Sequence, residues 1–222
     1  MAFLTKNVFG DISGKVGNTV VRIRYGKEVV YSKPSITNIS YSDKAVAGRA
    51  KFAHTVKLAR LINSNPDLST IWKSAKIKGT NAYQKIIKHN AGFTTPEGLT
   101  INNIISPPGL EIFKSSLIVD ENFIKLESEV ELKSNFSLTT AYMLFVPLNV
   151  TGEYPFLIPS SASFIEGNKV QCKFQLEKNQ SKIFLASNII VLLITFIFKD
   201  NSGKINCWSD TINFLLPKTA AE

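Results

Sequence analysis

The chain is poor in the residues from which metal centres and many catalytic sites are built. Its 222 residues include two cysteines, Cys172 and Cys207, and two histidines, His54 and His89. So few cysteines exclude a disulfide-dense scaffold and a zinc finger. Neither histidine has a second histidine one helical turn away, so the zinc-helix spacing is missing. A Ser/His/Asp triad would need one of them as base, and no Gly-x-Ser-x-Gly elbow supplies the serine. Both histidines are expected to be structural and partly exposed.

Long apolar runs are also absent. The most apolar stretch is Ile189–Phe198, interrupted by Thr195. A spanning helix needs roughly 20 residues, so this stretch reads as a buried strand. The opening MAFLTKNVFGD has neither a charged leader nor a long apolar segment. That argues against a secretory signal and for a cytoplasmic or virion-associated protein. Acidic residues are scarce in one half only. Residues 1–108 carry 16 Lys+Arg and 5 Asp+Glu, whereas residues 109–222 carry 10 and 12. The net charge of +9 therefore belongs to the first half. With 44% hydrophobic and 19% charged residues, the chain is globular and can build a real core.

The sequence changes character at Ser106-Pro107-Pro108-Gly109, where the charge also changes. Pro-Pro-Gly suits neither a helix nor a central strand, so it reads as a linker between two domains, 1–105 and 109–222. The first domain opens with the glycine-rich GDISGKVGN. Thr19–Tyr25 and Glu28–Ser32 follow as a predicted β-hairpin around Gly26-Lys27. Such a hairpin is marginal alone and must pack on something. Ser42 is a predicted N-cap for a helix over Asp43–Asn63, with Ala45, Phe52, Val56 and Ala59 on its core stripe, reinforced by Ile62. Arg49 lies in line with that stripe and would need a partner there. Pro66 at the first position starts a second helix, carrying Trp72 and ending near Gly79. Thr80 is expected to cap a third helix through Tyr83 to Asn90, closed by Gly92.

Beyond the linker the period changes from helical to alternating. Ile124, Leu126 and Val130 alternate with Lys125, Glu127 and Glu129, and Val170, Cys172 and Phe174 alternate with Gln171 and Lys173. These are half-buried antiparallel strands. Thr140–Leu148, Ile189–Lys199 and Ile205–Leu215 are further strands, the last two joined by an Asp200–Gly203 turn. The expected fold class is α+β: an N-terminal β-hairpin with three helices, then an antiparallel Ig-like β-sandwich. Because Ile189–Phe198 is apolar on both faces, its second face needs cover from the helices, another sheet or another subunit.

In this order, GKVGN, VVRIRYGKEVVYSKP, GRAKF, IWKSAKIKGTNAYQKIIKHN and the strand-rich half resemble an uncharacterised Bacteroidota family known as a domain of unknown function. Its pattern is a Gly-Lys-x-Gly hairpin, an Arg-x-x-Phe helix and a C-terminal Ig-like part. The resemblance falls on Gly14, Lys15, Gly17, Arg49, Phe52, Ala82 and Tyr83. It implies an arrangement of the fold and no activity.

Gly10-x-x-x-Gly14-Lys15 is one residue short of a phosphate loop, continues with Val16 and leads into a hairpin instead of a helix. It reads as a tight turn that uses the freedom of Gly14 and Gly17. Cys172 and Cys207 read as free thiols, with a disulfide as the alternative. Glu127, Glu129 and Glu131 share a strand face and read as solvated, although paired carboxylates could bind calcium or serve acid–base work. The strongest functional candidates are basic residues interleaved with aromatics. They are Lys15, Arg22, Arg24 and Lys27 in the hairpin, with Lys33 and Tyr31 close by, and Lys73, Lys76 and Lys78 around helices two and three, with Lys85, Lys88, Trp72 and Tyr83.

No cofactor is expected, and neither an enzyme constellation nor a small-molecule substrate emerges. The leading expectation is a non-enzymatic structural subunit of a homomeric assembly, of virion, filament or surface-layer type. Opposite charge on the two halves would suit head-to-tail contacts. The alternative is a nucleic-acid-binding protein that uses the basic N-terminal domain.

Overall fold

A computed structural model describes residues 2–3, 14–24, 27–33, 42–131, 138–148 and 155–217. The chain divides into two compact units, Met1–Ser42 and Asp43–Glu222. The expected break at Pro107–Gly109 does not separate compact units, for the reason given below.

The first unit is a four-stranded antiparallel sheet of β1 (Ala2–Phe3), β2 (Gly14–Val16), β3 (Thr19–Arg24) and β4 (Lys27–Ser32), in the order β1-β4-β3-β2. The predicted hairpin is its centre, with Thr19 opposite Ser32 and Arg24 opposite Lys27. Its valine, isoleucine and threonine content favours extended backbone. Tyr25 and Gly26 lie outside the described residues, as does Gly10. Gly17 has φ of +57° where the chain turns from β2 into β3, a conformation that glycine takes without strain. Sequence alone did not indicate the flanking β1 and β2, because two or three residues carry no periodicity.

The second unit starts with α1 (Asp43–Ser64), α2 (Pro66–Ser74) and α3 (Ala82–Asn90). The Asn65 side chain caps α2 by accepting from Leu68 N at 3.0 Å, with Pro66 in the first turn. This helix stops at Ser74, short of Gly79. The Lys85 ammonium donates to the Lys73 and Ala75 carbonyls at 2.8 and 2.6 Å, satisfying acceptors a continuing helix would have used. Asn81, not Thr80, caps α3. The buried stripe of α1 is Thr55, Leu58, Ala59 and Ile62. Ala59 and Ile62 are buried as expected, but the buried positions lie in the last turns of α1, which leaves Ala45 and Val56 half-buried. Phe52 is 59% exposed as a result. Arg49 is exposed too, outside the core.

Two sheets follow. The outer sheet has the order β5-β6-β10-β9, made of β5 (Ile112–Val119), β6 (Phe123–Val130), β9 (Ala162–Glu166) and β10 (Lys169–Gln175). The inner sheet has the order β12-β11-β7-β8, with β7 (Leu138–Leu148), β8 (Phe156–Pro159), β11 (Ile189–Lys199) and β12 (Ile205–Trp208). β13 (Ile212–Pro217) also pairs β11, and α4 (Lys178–Ala186) links β10 to β11. The fold is therefore mixed α+β and rich in antiparallel strands.

Strand β11 explains the layering. Ile190, Leu192, Ile194, Phe196 and Phe198 join Ile124, Leu126, Met143, Phe145, Val170 and Phe174 in one core. That core lies between the two sheets. Val191, Leu193 and Ile197 join Leu144, Leu58, Ile62, Leu68, Trp72 and Ile86 in a second core. The three helices thus cover the second face of β11, as one of the expected alternatives had it. The strand's need for cover is met inside the chain.

The same layering fixes the Pro-Pro-Gly segment in place. β12 and β13 pair successive parts of β11 and are interrupted between Trp208 and Ile212. Leu110 enters this interruption, donating to Trp208 O and accepting from Asp210 N, both at 2.8 Å. Trp208 Nε1 donates to Pro107 O at 3.0 Å, and Thr211 Oγ1 accepts from Ile105 N and Ser106 N at 3.1 Å each. A Cβ at Gly109 would run into the Trp208 carbonyl and indole, so this close approach requires glycine. The segment is a bonded part of the sheet edge and cannot act as a linker.

Candidate functional site

The N-terminal sheet separates its side chains by face. Lys15 lies opposite Val20, Val20 opposite Tyr31, and Arg22 opposite Val29. Strand alternation puts Lys15, Arg22 and Tyr31 on one face. The Arg22 guanidinium stands 5.9 Å from the Tyr31 ring centroid, within cation–π reach. Lys33, the next alternate position after Tyr31, lines the same open groove as Lys15, Arg22 and Tyr31. Lys15, Arg22 and Lys33 are all exposed. Arg24 and Lys27 close the ladder as a backbone pair.

The opposite face carries Val16, Val21, Ile23 and Val30, with Glu28 opposite Ile23. Val16 is 74% and Ile23 53% exposed. Composition did not reveal this segregation, because the register decides which side chains share a side.

The second basic group lies in the other unit. Lys73, Lys76, Lys78 and Lys88 are exposed around α2 and α3. Lys85 is instead buried as the α2 carbonyl partner already described. Trp72 is fully buried, and its indole donates to Ile105 O at 2.9 Å. Tyr83 packs partly buried against the helix-side core. The Trp72 ring is therefore not available to stack on a ligand. Gly17 serves the turn geometry expected of it, whereas Gly14, with φ of +142°, lies in strand β2 opposite Val21.

Sequence reasoning missed a polar contact that ties the helices to the inner sheet. Asp67 Oδ2 accepts from Tyr142 OH and from Lys199 Nζ, both at 2.7 Å. The Asp67–Lys199 pair is about four-fifths buried on both side chains, at 20% and 19% exposure. Burial, then the hydrogen bond to Asp67, pushes the Tyr142 hydroxyl up to about 12. Tyr142 and Lys199 lie far from Asp67 in sequence, so no motif could have joined them.

The remaining candidates have settled roles. Glu127 and Glu129 lie on the outer face of β6, where Lys114 pairs with Glu129 at 3.5 Å and Lys169 stands opposite it. Glu131 is exposed beyond the strand. Cys172 and Cys207 are free thiols. Burial raises them to about 12 and about 11, which suppresses the reactive thiolate. His89 lies edge-on to Trp72 at 6.1 Å and beside Phe93 at 6.4 Å. Among the described residues no group of His, Cys, Asp and Glu side chains could hold a metal ion, and no helix is long and apolar enough to cross a membrane. No family model matches the chain, and no curated protein matches it.

Proposed function

We propose that the chain is a non-enzymatic structural subunit that associates with copies of itself through the apolar face of its N-terminal sheet. The observation that carries this reading is the face of Val16, Val21, Ile23 and Val30, on which Val16 and Ile23 are exposed and Val21 and Val30 half-buried. This sheet is a single layer that buries Val29 alone among its described side chains. Apolar faces of sheets are normally packed against a second layer. A second copy presents the same apolar face, with Glu28 opposite Ile23 as its charged member among the described residues, so a two-fold contact can match apolar surface to apolar surface. Head-to-tail contact driven by charge is the weaker form of the idea. The exposed face of the outer sheet mixes Glu127 and Glu129 with Lys125, Lys169 and Lys173, so it offers no acidic surface.

The body belongs to this proposal as an Ig-like sandwich. Hairpins β5-β6, β7-β8 and β9-β10 alternate between the two sheets, which supports a Greek-key arrangement of Ig type. The Bacteroidota family resemblance is carried with it, as the Gly14-Lys15-x-Gly17 turn leads into the hairpin that this reading uses.

Light scattering on the purified chain at tens of micromolar tests association. A dimer or larger species is expected, and Val21→Thr with Ile23→Thr returns it to monomer while leaving β-propensity intact. A wild-type monomer throughout that range removes the proposal.

A further inference from the structure

We propose that the other face of the same sheet binds single-stranded nucleic acid, holding its phosphates with Lys15, Arg22 and Lys33 beside the Tyr31 ring. The register places these groups together on one side, and all three cations are exposed. Glu28, the acidic residue among the described strands of this sheet, lies opposite Ile23 and so belongs to the apolar side. Residues 1–42 as a whole hold 6 Lys+Arg against 2 Asp+Glu. Among the described residues the cationic face has no carboxylate, and such a face attracts a polyanion by releasing its condensed counterions. A guanidinium beside an aromatic ring adds planar surfaces on which unpaired bases stack, whatever the base. Duplex bases are already stacked on one another, which favours the single-stranded form. An anionic membrane fits less well. Surface-binding elements anchor with exposed apolar side chains next to their cations. Here the apolar neighbours of the cations, Val20 and Val29, are half-buried and buried, and the exposed Val16 and Ile23 belong to the opposite side of the sheet.

The inference does not rest on self-association. Assembly uses Val16, Val21, Ile23 and Val30, and nucleic acid uses the other face, so each can fail without the other. The test is fluorescence anisotropy of a labelled single-stranded oligonucleotide of about 20 nucleotides, longer than one module's usual site. Binding is expected at low salt. Three phosphate contacts predict a slope of log affinity against log salt of about −2. Arg22→Glu is expected to weaken binding about tenfold or more, as for loss of a charged hydrogen bond. The variant Lys15→Gln with Lys33→Gln, at the sheet margin where folding is least at risk, reduces the slope to about −0.7. Tyr31→Leu costs about fivefold or more in affinity with the slope unchanged. Lys73→Glu with Lys76→Glu, in the other unit, leaves binding as it was. The proposal is overturned by an absence of binding at low salt. It is equally overturned if Arg22→Glu and the Lys15/Lys33 variant bind like wild type, if the helix variant abolishes binding, or if phosphatidylserine vesicles displace the oligonucleotide.

Discussion

Strands β3 and β11 are both rich in β-branched residues, yet β11 is buried from Ile190 to Phe198 while no described side chain of β3 is fully buried. The difference does not lie in intrinsic preference for extended backbone, which both have. It lies in the layers around each strand. β11 has helices on one side and the outer sheet on the other, so alternate residues serve two cores. β3 belongs to a sheet of one layer within its unit. The body therefore hides its apolar surface by folding, and the N-terminal sheet leaves its own on display. A surface left open in this way is available to a partner, and a sealed one is available only to stability.

The largest expected effect separates the two strands directly. Leu193→Ala, at a fully buried position facing the helices, should destabilise the body by about 2–5 kcal/mol in urea unfolding. Ile23→Ala, at a position 53% exposed, should change body stability by no more than about 0.5 kcal/mol. Equal losses would mean that the N-terminal sheet is as much a part of the cooperative core as β11.

Next in size is the contact that fastens helices to sheet. Asp67→Ala strands the Lys199 ammonium and the Tyr142 hydroxyl in a mostly buried site. A loss of about 2–3 kcal/mol is expected, below the range for fully buried pairs because some solvent reaches this one. Asp67→Asn keeps an acceptor and should recover part of it. A change of a few tenths of a kcal/mol for Asp67→Ala would show that the helices are held by apolar packing alone.

Much of the body was legible because its signals are long and periodic. Strand β11 was predicted over Ile189–Lys199, as observed, and the alternation in β6 and β10 placed Ile124, Leu126, Val170 and Phe174 inward. Asn65-Pro66 marked the start of α2. The errors have local causes. Periodicity averaged over all of α1 puts Phe52 on a core stripe with Arg49 in line with it, whereas the buried residues lie in its last turns. Pro107-Pro108-Gly109 looks like a linker by composition, but its backbone groups are taken up by Trp208, Asp210 and Thr211, roughly 100 residues away, a separation no local pattern reports. At the candidate site the residue types were visible and their grouping was not. Lys15, Arg22 and Tyr31 share a face through strand register, while Lys73, Lys76 and Lys78 belong to another unit altogether.

Alkaline pH gives a subtler probe of the body. Tyr142 keeps its proton to about 12 in the folded state, against an ordinary value of 10.0. Between those values an unfolded chain has released this proton and the folded chain has not. Fewer protons bound by the unfolded state means stability falls as pH rises. The contribution is whole below pH 10 and lost on passing 12. Tyr142→Phe should be less stable than wild type at neutral pH, and the gap should narrow across that window. A gap that stays constant would place the hydroxyl in contact with solvent.

The smallest expected effect on stability is the most informative about the comparison. Removing residues 1–42 takes away the whole first unit and none of the side chains of the two cores. The truncated chain should unfold within about 0.5 kcal/mol of the full chain, because surface deletions that leave the core intact act weakly. The same truncation should remove both association and oligonucleotide binding, since each is drawn from one face of the deleted sheet. Thermal unfolding, light scattering and anisotropy on the one protein therefore separate what holds this chain together from what it holds. If the truncated body still associates, the exposed edges of its own sheets, and not the N-terminal sheet, carry the assembly contact.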